Sequence, residues 1–290
     1  MSHIPVLLEP ALDYLAIRPD GIYIDATFGA GGHTQAILAR LTTGRLIAFD
    51  ADPSAAELAR AIAHPSLTFV NANFRELPRV LSELGIEGVD GVLFDLGVSS
   101  MQLDEADRGF SFTKTAPLDM RMNPYSERSA YDVLASASES ELADIFFHYG
   151  EERSARRIAH VIVERRNSGR LPTTTTEFAQ LVAGTVHRSG HRERVHPATR
   201  VFQALRIAVN DELDALRDGV DAAVGALRGA GRVVAISFHS LEDRIVKQAF
   251  RGDERLHVLT KKPLVADERE NADNPRARSA KLRAAQRKAS

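Results

Sequence analysis

Three glycines and two acids lie at the ends of the first two apolar runs of the chain. Gly29, Gly31 and Gly32 follow the run that ends at Asp25, and Asp50 ends the next run, about twenty residues further on. Glycine lets bare backbone approach a ligand closely, and a carboxylate at such a spacing can accept hydrogen bonds from both hydroxyls of a ribose. The pattern therefore predicts a site for an adenosine-bearing cofactor.

The glycine spacing and the charge of Asp25 bear on which cofactor binds. A dinucleotide motif, Gly-x-Gly-x-x-Gly, would need a third glycine at position 34, which is occupied by Thr34. Asp25 would repel a pyrophosphate, whereas its charge suits the ammonium group of a cationic cofactor such as S-adenosylmethionine. The residues thus favour a methyl donor, and the alternative is an ordinary turn between a strand and a helix.

A third acid, Asp95, ends the apolar run 91–95. The carboxyl ends of parallel strands line the ligand crevice of open α/β sheets, so Asp95 is predicted to contact the cofactor or the group that is methylated. A turn or helix-capping role is the alternative. His239 and Ser240 follow a later run, 232–238, and either could contact the acceptor or the cofactor, although capping the next helix is the simpler role for Ser240.

The elements that must position these side chains alternate along the chain. Strand-like runs at 22–24, 45–50, 68–70 and 91–95 are separated by helical stretches, which predicts a parallel sheet with right-handed crossovers. Further strands are predicted at 232–238 and 257–260, with a capping box of Ser240 and Asp243 between them. The predicted fold class is α/β, a Rossmann-like core of residues 1–112 and 208–290.

Residues 113–207 have a different character and are predicted to form an inserted helical domain. Apolar spacing indicates a helix over 139–149, and Thr174 with Glu177 forms a capping-box pattern before another. Pro197 marks the start of a further helix. Apolar residues from Phe202 to Val220 recur every three or four positions, which predicts one long helix that returns the chain to the sheet.

The composition excludes several kinds of chemistry. The 290 residues include no cysteine, so disulfides, thiolate metal sites and a cysteine nucleophile are absent. His187, His191 and His196 lie in a loop without accompanying acids, and no metal site is predicted. No apolar run approaches the length of a membrane span and the start of the chain lacks a signal-peptide pattern, so we expect a cytoplasmic protein without membrane association.

Positive charge is uneven, although the formal net charge is −2. Arginines cluster in the predicted insert, and every charged residue after Asn274 is basic. These side chains form either a solvated face or a set of phosphate contacts, and the basic end could be a helix or a disordered arm. The predicted RNA contacts include Arg153, Arg156, Arg157, Arg276 and Arg278; Arg165, Arg166, Arg170, Arg192 and Arg194 belong to the same basic set.

Several segments resemble one family closely. They include residues 3–9, 24–33, 93–100, 108–112, 117–122, 149–153, 196–206, 236–247 and 274–279. Together they resemble the MraW family of bacterial 16S ribosomal RNA cytosine-N4 methyltransferases. The resemblance implies a class I methyltransferase core with a helical substrate-recognition insert, S-adenosylmethionine as donor, and a cytosine amine of the decoding region as acceptor. It also implies cofactor contacts at Gly31, Gly32, His33, Asp50, Phe74, Asp95 and Gln102.

The residues fit this chemistry in several ways. Phe74 could lie against adenine, with core packing as the alternative, and Phe110 or Phe112 could stack on a flipped-out base. Cytosine N4 must be oriented and must lose a proton, for which Asp95 is the predicted acceptor. Methylation at carbon 5 would need a cysteine, which the chain lacks.

The predicted partner is 16S ribosomal RNA within the small ribosomal subunit. A ribosome-assembly factor that binds the cofactor without turnover is one rival, and a methyltransferase that acts on small molecules is another. The second rival fits the arginine content of the insert less well. The sequence leaves open whether free RNA or the assembled subunit is the substrate, and whether the chain forms a homodimer.

Overall fold

The computed structural model describes residues 5–186 and 196–289, which fall into two compact units. The first unit runs to Ser100 and resumes at Leu213, and the second comprises Met101–Glu212. The sequence had suggested boundaries at 112 and 208. The second unit starts earlier because a short helix and a loop after the fourth strand belong to it, and it ends later because its last helix ends near Asp211.

Seven strands of the described chain form one sheet in the order β3-β2-β1-β4-β5-β7-β6. Strands β1 to β5 run parallel, whereas β7 is antiparallel to both β5 and β6. This arrangement confirms the predicted α/β fold class with a Rossmann-like core. The strands are β1 (Ile22–Asp25), β2 (Arg45–Asp50), β3 (Leu67–Asn71), β4 (Val89–Asp95), β5 (Leu227–Ser237), β6 (Leu256–Val258) and β7 (Lys281–Arg287).

Helices connect the strands of the first unit and build the second unit. In chain order they are α1 (Leu8–Leu15), α2 (Gly32–Leu38), α3 (Ala55–Ile62), α4 (Leu77–Glu83), α5 (Ser100–Asp104), α6 (Ala130–Ser136), α7 (Glu139–His148), α8 (Ala155–Asn167), α9 (Thr175–Thr185), α10 (Ala198–Asn210), α11 (Glu212–Ala226), α12 (Ser240–Gly252) and α13 (Glu268–Asp273). Among the described residues, none of these helices has both the length and the apolar character that a membrane span requires.

The sheet has an apolar layer on each face. On one face Phe49 and Phe94 pack in a cluster with Val220 of α11, and on the other Leu46 packs in a cluster with Leu12 of α1. Strands that are buried on both faces need apolar residues at successive positions. The continuous apolar runs of the sequence therefore identified the central strands correctly.

The basic C-terminal segment is a buried strand, so the expectation of a helix or disordered arm is wrong. In β7, Leu282 lies beside Ile236 of β5, and Ala284 is fully buried. The Arg283 guanidinium forms hydrogen bonds of 2.6 and 3.2 Å with the Asp243 carboxylate. Alanine has a low strand propensity, and the Arg283 charge is neutralised by Asp243 inside the unit, so the basic composition suggested a solvated segment.

The predicted long helix is in fact two helices, α10 and α11. Asp211 lies between them with a φ of 51°, in the left-handed region that ends helices. Its backbone N–H donates to the carbonyl of Ile207, which completes the last turn of α10. The apolar spacing continues across the break through Leu213, Leu216 and Val220, and therefore did not reveal it.

The second unit contains the capping box that the sequence predicts at the start of α9. The Thr174 hydroxyl accepts from the Glu177 backbone N–H, and the Glu177 carboxylate accepts from the Thr174 N–H. Two further boxes, at Ser129 and Ser138, start α6 and α7. These boxes satisfy backbone donors that the first helical turn leaves free.

We expect Thr174→Ala to destabilise the protein by about 1 kcal/mol, because the substitution removes one half of this reciprocal cap. Urea unfolding followed by circular dichroism measures the change. Thr113→Ala, at an exposed position, is the control; the Thr113 hydroxyl forms a hydrogen bond only with Ser111 among the described residues. Equal stability of the Thr174 variant and the wild type would show that the cap contributes nothing.

Candidate active site

Polar side chains end four parallel strands at one edge of the sheet. Asp25, Asp50, Asn71 and Asp95 are the last residues of β1, β2, β3 and β4. Asp50 lies in register with Asn71, and Asp25 with Leu93, two residues before Asp95. The carboxyl edge of an open α/β sheet is where such folds bind their ligands. The predicted acids are therefore brought to the same edge.

The glycine turn between β1 and α2 has one open position and two packed ones. A Cβ on Gly31 would lie 3.0 Å from the Phe28 ring, and one on Gly32 would lie 2.4 Å from Cγ of Pro5. At Gly29, with a φ of 55°, the nearest atom to such a Cβ is 3.7 Å away, on Ser99. Gly31 and Gly32 thus allow the loop to pack closely, and the bare backbone that a ligand can approach lies at Gly29.

The Asp50 carboxylate is tied to this turn. Its two oxygens accept hydrogen bonds of 2.8 Å from the backbone N–H groups of Gly29 and Asp52. Burial raises the pKa of Asp50 to about 7, although the hydrogen bonds from the two backbone N–H groups act to lower it. The residue is partly exposed, and each carboxylate oxygen has a lone pair left for a further hydrogen bond. Donors such as the hydroxyls of a ribose would suit it.

Asp25 has a different role from the one that its charge suggested. Its side chain is fully buried and accepts hydrogen bonds from the Thr34 hydroxyl, at 2.7 Å, and from the Thr27 N–H, at 3.2 Å. Burial raises the pKa of Asp25, while these donors lower it. Asp25 therefore fixes the glycine turn and is not exposed to an ammonium group. Thr27 and Thr34 were not predicted as site residues; in the sequence they are marked only by their positions on either side of the glycines.

His33 and Asp95 form a pair beneath the same edge. His33 is 5% exposed; its Nδ1 lies 3.4 Å from Asp95 Oδ2, and its Nε2 lies 3.1 Å from the Val6 carbonyl oxygen. Burial alone would lower the pKa of His33, but the hydrogen bond to Asp95 and the charges of Asp95 and Asp25 outweigh it and raise the pKa. The pair therefore favours a protonated imidazole next to a carboxylate.

The second oxygen of Asp95 has no partner among the described residues. Oδ1 is buried and accepts no hydrogen bond from the part of the chain that the structure describes, although the side chain as a whole is 25% exposed. The backbone N–H of Asp95 donates to the Thr27 hydroxyl at 2.6 Å, which anchors the end of β4. A buried carboxylate oxygen without a hydrogen-bond donor costs free energy, and such an oxygen often accepts a hydrogen bond from a ligand. The Asp95 carboxylate is the candidate proton acceptor.

Phe74 and Gln102 lie close in sequence to the ends of β3 and β4. The Phe74 ring packs edge-on against Phe94, with centroids 5.4 Å apart, and lies where a Cβ on Gly219 would be. The ring is only partly buried, so packing occupies part of its surface. Gln102 is 4% exposed on α5. Their assignment to the cofactor stays a prediction.

The start of α12 differs from its prediction by one residue. The N-cap is His239, whose Nδ1 accepts from the Glu242 N–H while the Glu242 carboxylate accepts from the His239 N–H. The predicted box of Ser240 and Asp243 is therefore wrong. Asp243 instead holds Arg283, and His239 has the capping role that the sequence suggested for Ser240.

The predicted base-stacking residues belong to the second unit. Phe110 is 9% exposed, with the Arg108 guanidinium 5.9 Å from its ring centroid. Phe112 is half-buried against Phe202 and His196, at centroid distances of 4.9 and 5.0 Å. Phe112 is thus the more accessible of the two rings.

Three exposed arginines lie at the start of α8 in the second unit. Arg156 and Arg157 are exposed in the first turn of α8 and Arg153 is exposed in the turn before it; none of the three has an ion-pair partner within 5–186 and 196–289. Arg166 instead donates to the carbonyls of Leu134 and Ala137, so it stabilises the unit itself.

The other arginines that were predicted to contact RNA differ in their exposure. Arg278 is exposed and Arg276 is half-buried, both on a short 3-10 helix before β7. Arg192 and Arg194 lie outside the described residues, as do His187 and His191 of the histidine-rich loop. The exposed arginines are the ones that remain candidates for phosphate contacts.

Comparisons with known proteins agree on one family. The model of the MraW methylase family matches residues 1–288. A protein of Geobacter sulfurreducens named ribosomal RNA small subunit methyltransferase H is 51% identical, and the match covers 99% of both chains. Proteins of the same name from Deinococcus radiodurans and Heliobacterium modesticaldum are 49% and 48% identical, covering 99% and 98% of this chain and 90% and 98% of their own.

Proposed function

The chain belongs to the MraW methylase family, and we propose that it transfers a methyl group from S-adenosylmethionine to the exocyclic N4 of a cytosine in 16S ribosomal RNA. The observation that carries this proposal is the partly exposed Asp95 carboxylate, which lies at the same sheet edge as Asp50 and the open Gly29. The names of the relatives point to RNA of the small subunit. We place the acceptor in the decoding region of that subunit, in the cytoplasm.

The residues at the sheet edge fit this cofactor. S-adenosylmethionine supplies a methyl group on a sulfonium, which a nucleophile can take directly. The Asp50 carboxylate has acceptor capacity for the ribose hydroxyls, and the partly buried Phe74 ring offers its remaining surface to adenine. The family resemblance adds Gly31, Gly32, His33, Asp95 and Gln102 as contacts.

Asp95 is the residue that we assign to the acceptor. The lone pair of cytosine N4 is delocalised into the ring, so the amine must be oriented toward the methyl group and must give up a proton. The partly exposed Asp95 carboxylate could accept a hydrogen bond from N4, which would orient the amine, and then take its proton. Carbon-5 chemistry, in contrast, needs a thiolate that adds to the ring, and the chain contains no cysteine.

Asp50→Ala is expected to weaken the binding of S-adenosylmethionine. Hydrogen bonds to a charged group contribute about 1.5–3 kcal/mol, which corresponds to a dissociation constant about 10–100-fold higher. Isothermal titration calorimetry of the purified protein measures this dissociation constant. Asp13→Ala, which removes an exposed acid from α1, is the control. Unchanged affinity of the Asp50 variant would contradict the assignment.

The pH dependence of binding provides a second test of Asp50. In the free protein its pKa is about 7, and hydroxyl donors stabilise its ionised form, so binding releases a proton below that pH. Affinity should therefore rise between about pH 5.5 and about pH 7.5 and then level off. Asp50→Ala should bind weakly at every pH and lack this rise. A rise that persists in the variant would assign the titration to another group.

Incubation with tritiated methyl donor and purified small subunits that lack the modification tests the proposed function. We expect label in the 16S RNA of the subunits. An assembly factor without turnover would bind the subunits and transfer no label, and a small-molecule methyltransferase would neither label RNA nor bind it in a salt-sensitive manner. Parallel reactions with free 16S RNA show which form is the substrate.

A further inference from the structure

We propose that the Phe147 ring stacks on an unpaired base of the RNA, next to the arginines at the start of α8. Phe147 lies in the last turn of α7 and is 56% exposed, and it is the one exposed phenylalanine within residues 5–186 and 196–289. The proposal rests on the proposed function for the identity of the partner. It adds a contact with a base to the phosphate contacts of the arginines, and it thereby defines the form of RNA that this surface binds.

The turn after α7 brings these arginines close to Phe147. The Glu152 backbone N–H donates to the Phe146 carbonyl oxygen at 3.1 Å, so the chain folds back onto the end of α7 just before Arg153. The Glu152 side chain is buried, and its carboxylate accepts a hydrogen bond of 2.7 Å from the Ser154 N–H. The turn is therefore fixed, and the backbone of Arg153 lies next to the helical turn that carries Phe147.

Helix α8 runs alongside α7 in the opposite direction. His160 Nδ1, in the middle of α8, lies 3.3 Å from the Glu139 carboxylate at the start of α7. Arg156 precedes His160 by one helical turn, so both lie on the same side of α8, next to α7. The end of α7 that carries Phe147 is therefore adjacent to the start of α8 that carries Arg156 and Arg157.

The charges around the ring favour an anionic partner. The three arginines are exposed and have no ion-pair partner among the residues that the structure describes. Of the acids on α7, Glu139 contacts His160. Glu141 and Asp144 line a cavity whose other side is formed by α6. Phosphates are therefore attracted to the side of Phe147 on which α8 begins.

An exposed aromatic ring beside unpaired cations is typical of surfaces that bind single-stranded nucleic acids. The cations contact the phosphates, and the ring packs on the face of a base that is not stacked within a duplex. Neighbouring base pairs cover these faces in a duplex, so the ring gains no such contact there. His148 packs against Phe147 at a centroid distance of 5.1 Å and leaves more than half of the Phe147 side chain exposed to a base.

Binding of a single-stranded RNA oligonucleotide and of a duplex with the same sequence tests the proposal. Phe147→Ala should raise the dissociation constant for the single strand about 5–150-fold, the effect of losing one stacked base, and that for the duplex by less than about 3-fold. The slope of log K against log salt should stay that of the wild type, because no cation is lost. Leu84→Ala, at an exposed apolar position of the first unit, is the control.

A tryptophan substitution detects stacking directly, because the chain contains no tryptophan. Phe147→Trp retains an aromatic ring, so its affinity for the single strand should lie within about 3-fold of the wild type or be higher. Its fluorescence should be quenched when the single strand binds and should change little with the duplex. Leu84→Trp should show little quenching with either RNA.

Several results would overturn the proposal: unchanged affinity of Phe147→Ala, equal losses on single strand and duplex, or fluorescence of Phe147→Trp that the single strand does not quench. A changed mass in analytical ultracentrifugation with RNA affinity retained would instead assign Phe147 to a contact between proteins. Methyl transfer by the wild type without these effects of Phe147 would reject the stacking alone. Stacking without methyl transfer would reject the proposed function alone.

Discussion

Replacing Asp95 by asparagine is expected to reduce methyl transfer to small-subunit RNA by about 10²–10⁴-fold, the usual contribution of a positioned proton acceptor. The amide keeps the shape of the side chain but cannot take a proton from an amine. Asp95→Ala, which also removes the contact with His33, should be at least as inactive. Label incorporation under single-turnover conditions measures both variants.

Two controls separate this effect from damage to the fold or to cofactor binding. Asp95→Asn should melt within a few degrees of the wild type and should bind S-adenosylmethionine with an affinity changed by less than about 10-fold. Asp13→Asn, on the exposed side of α1, should retain full activity. Undiminished incorporation by Asp95→Asn would reject the proton-acceptor role.

The second large effect that we expect is a loss of RNA binding when the exposed arginines at the start of α8 and just before it are replaced. Changing Arg153, Arg156 and Arg157 together to glutamine should weaken RNA binding about 100-fold at moderate salt and lower the slope of log K against log salt by about 2. The reason is the loss of three cations that have no acidic partner within the described parts of the chain. Filter binding across a salt series measures both quantities.

A matched triple variant is available in the first unit. Arg79, Arg217 and Arg255 are exposed, but each pairs with a nearby acid: Glu76 and Glu83, Asp214, and Asp253. Changing these three to glutamine alters the net charge by the same amount and should change RNA affinity by less than about 3-fold. Equal losses in the two triple variants would mean that overall charge, and not this helix, governs RNA binding.

The central sheet could be predicted because strands that are buried on both faces need continuous apolar runs, which are easily recognised in the sequence. The apolar runs that end at Asp25, Asp50 and Asp95 have no other ready interpretation, and parallel pairing brings their ends together. The order of strands and helices thus sufficed to place the acids at one edge. The capping box at Thr174 was similarly local and was predicted correctly.

Features set by distant partners could not be predicted in this way. Strand β7 is built from alanines and arginines, and its stability comes from β5, β6 and the Asp243 carboxylate. The break at Asp211 leaves the apolar period intact on both sides. The start of α12 depends on His239, which is an uncommon capping residue.

The details of the candidate site also depend on partners that are distant in the sequence. Asp25 looked available to a ligand because its hydrogen bonds with Thr27 and Thr34 form only when the turn folds over it. The pairing of His33 with Asp95 joins α2 to the end of β4, and the Val6 carbonyl that orients the ring comes from before α1. No spacing rule connects these three segments. The sequence identified the groups, and the fold determines how they interact.

Mass spectrometry of the nucleosides from small subunits methylated by the purified protein tests the central claim most directly. We expect the added methyl group in N4-methylcytidine, at a decoding-region cytosine, and its absence when Asp95→Asn replaces the wild type. Finding the label in 5-methylcytidine, in another nucleoside, or nowhere in the RNA would contradict amine methylation by this site.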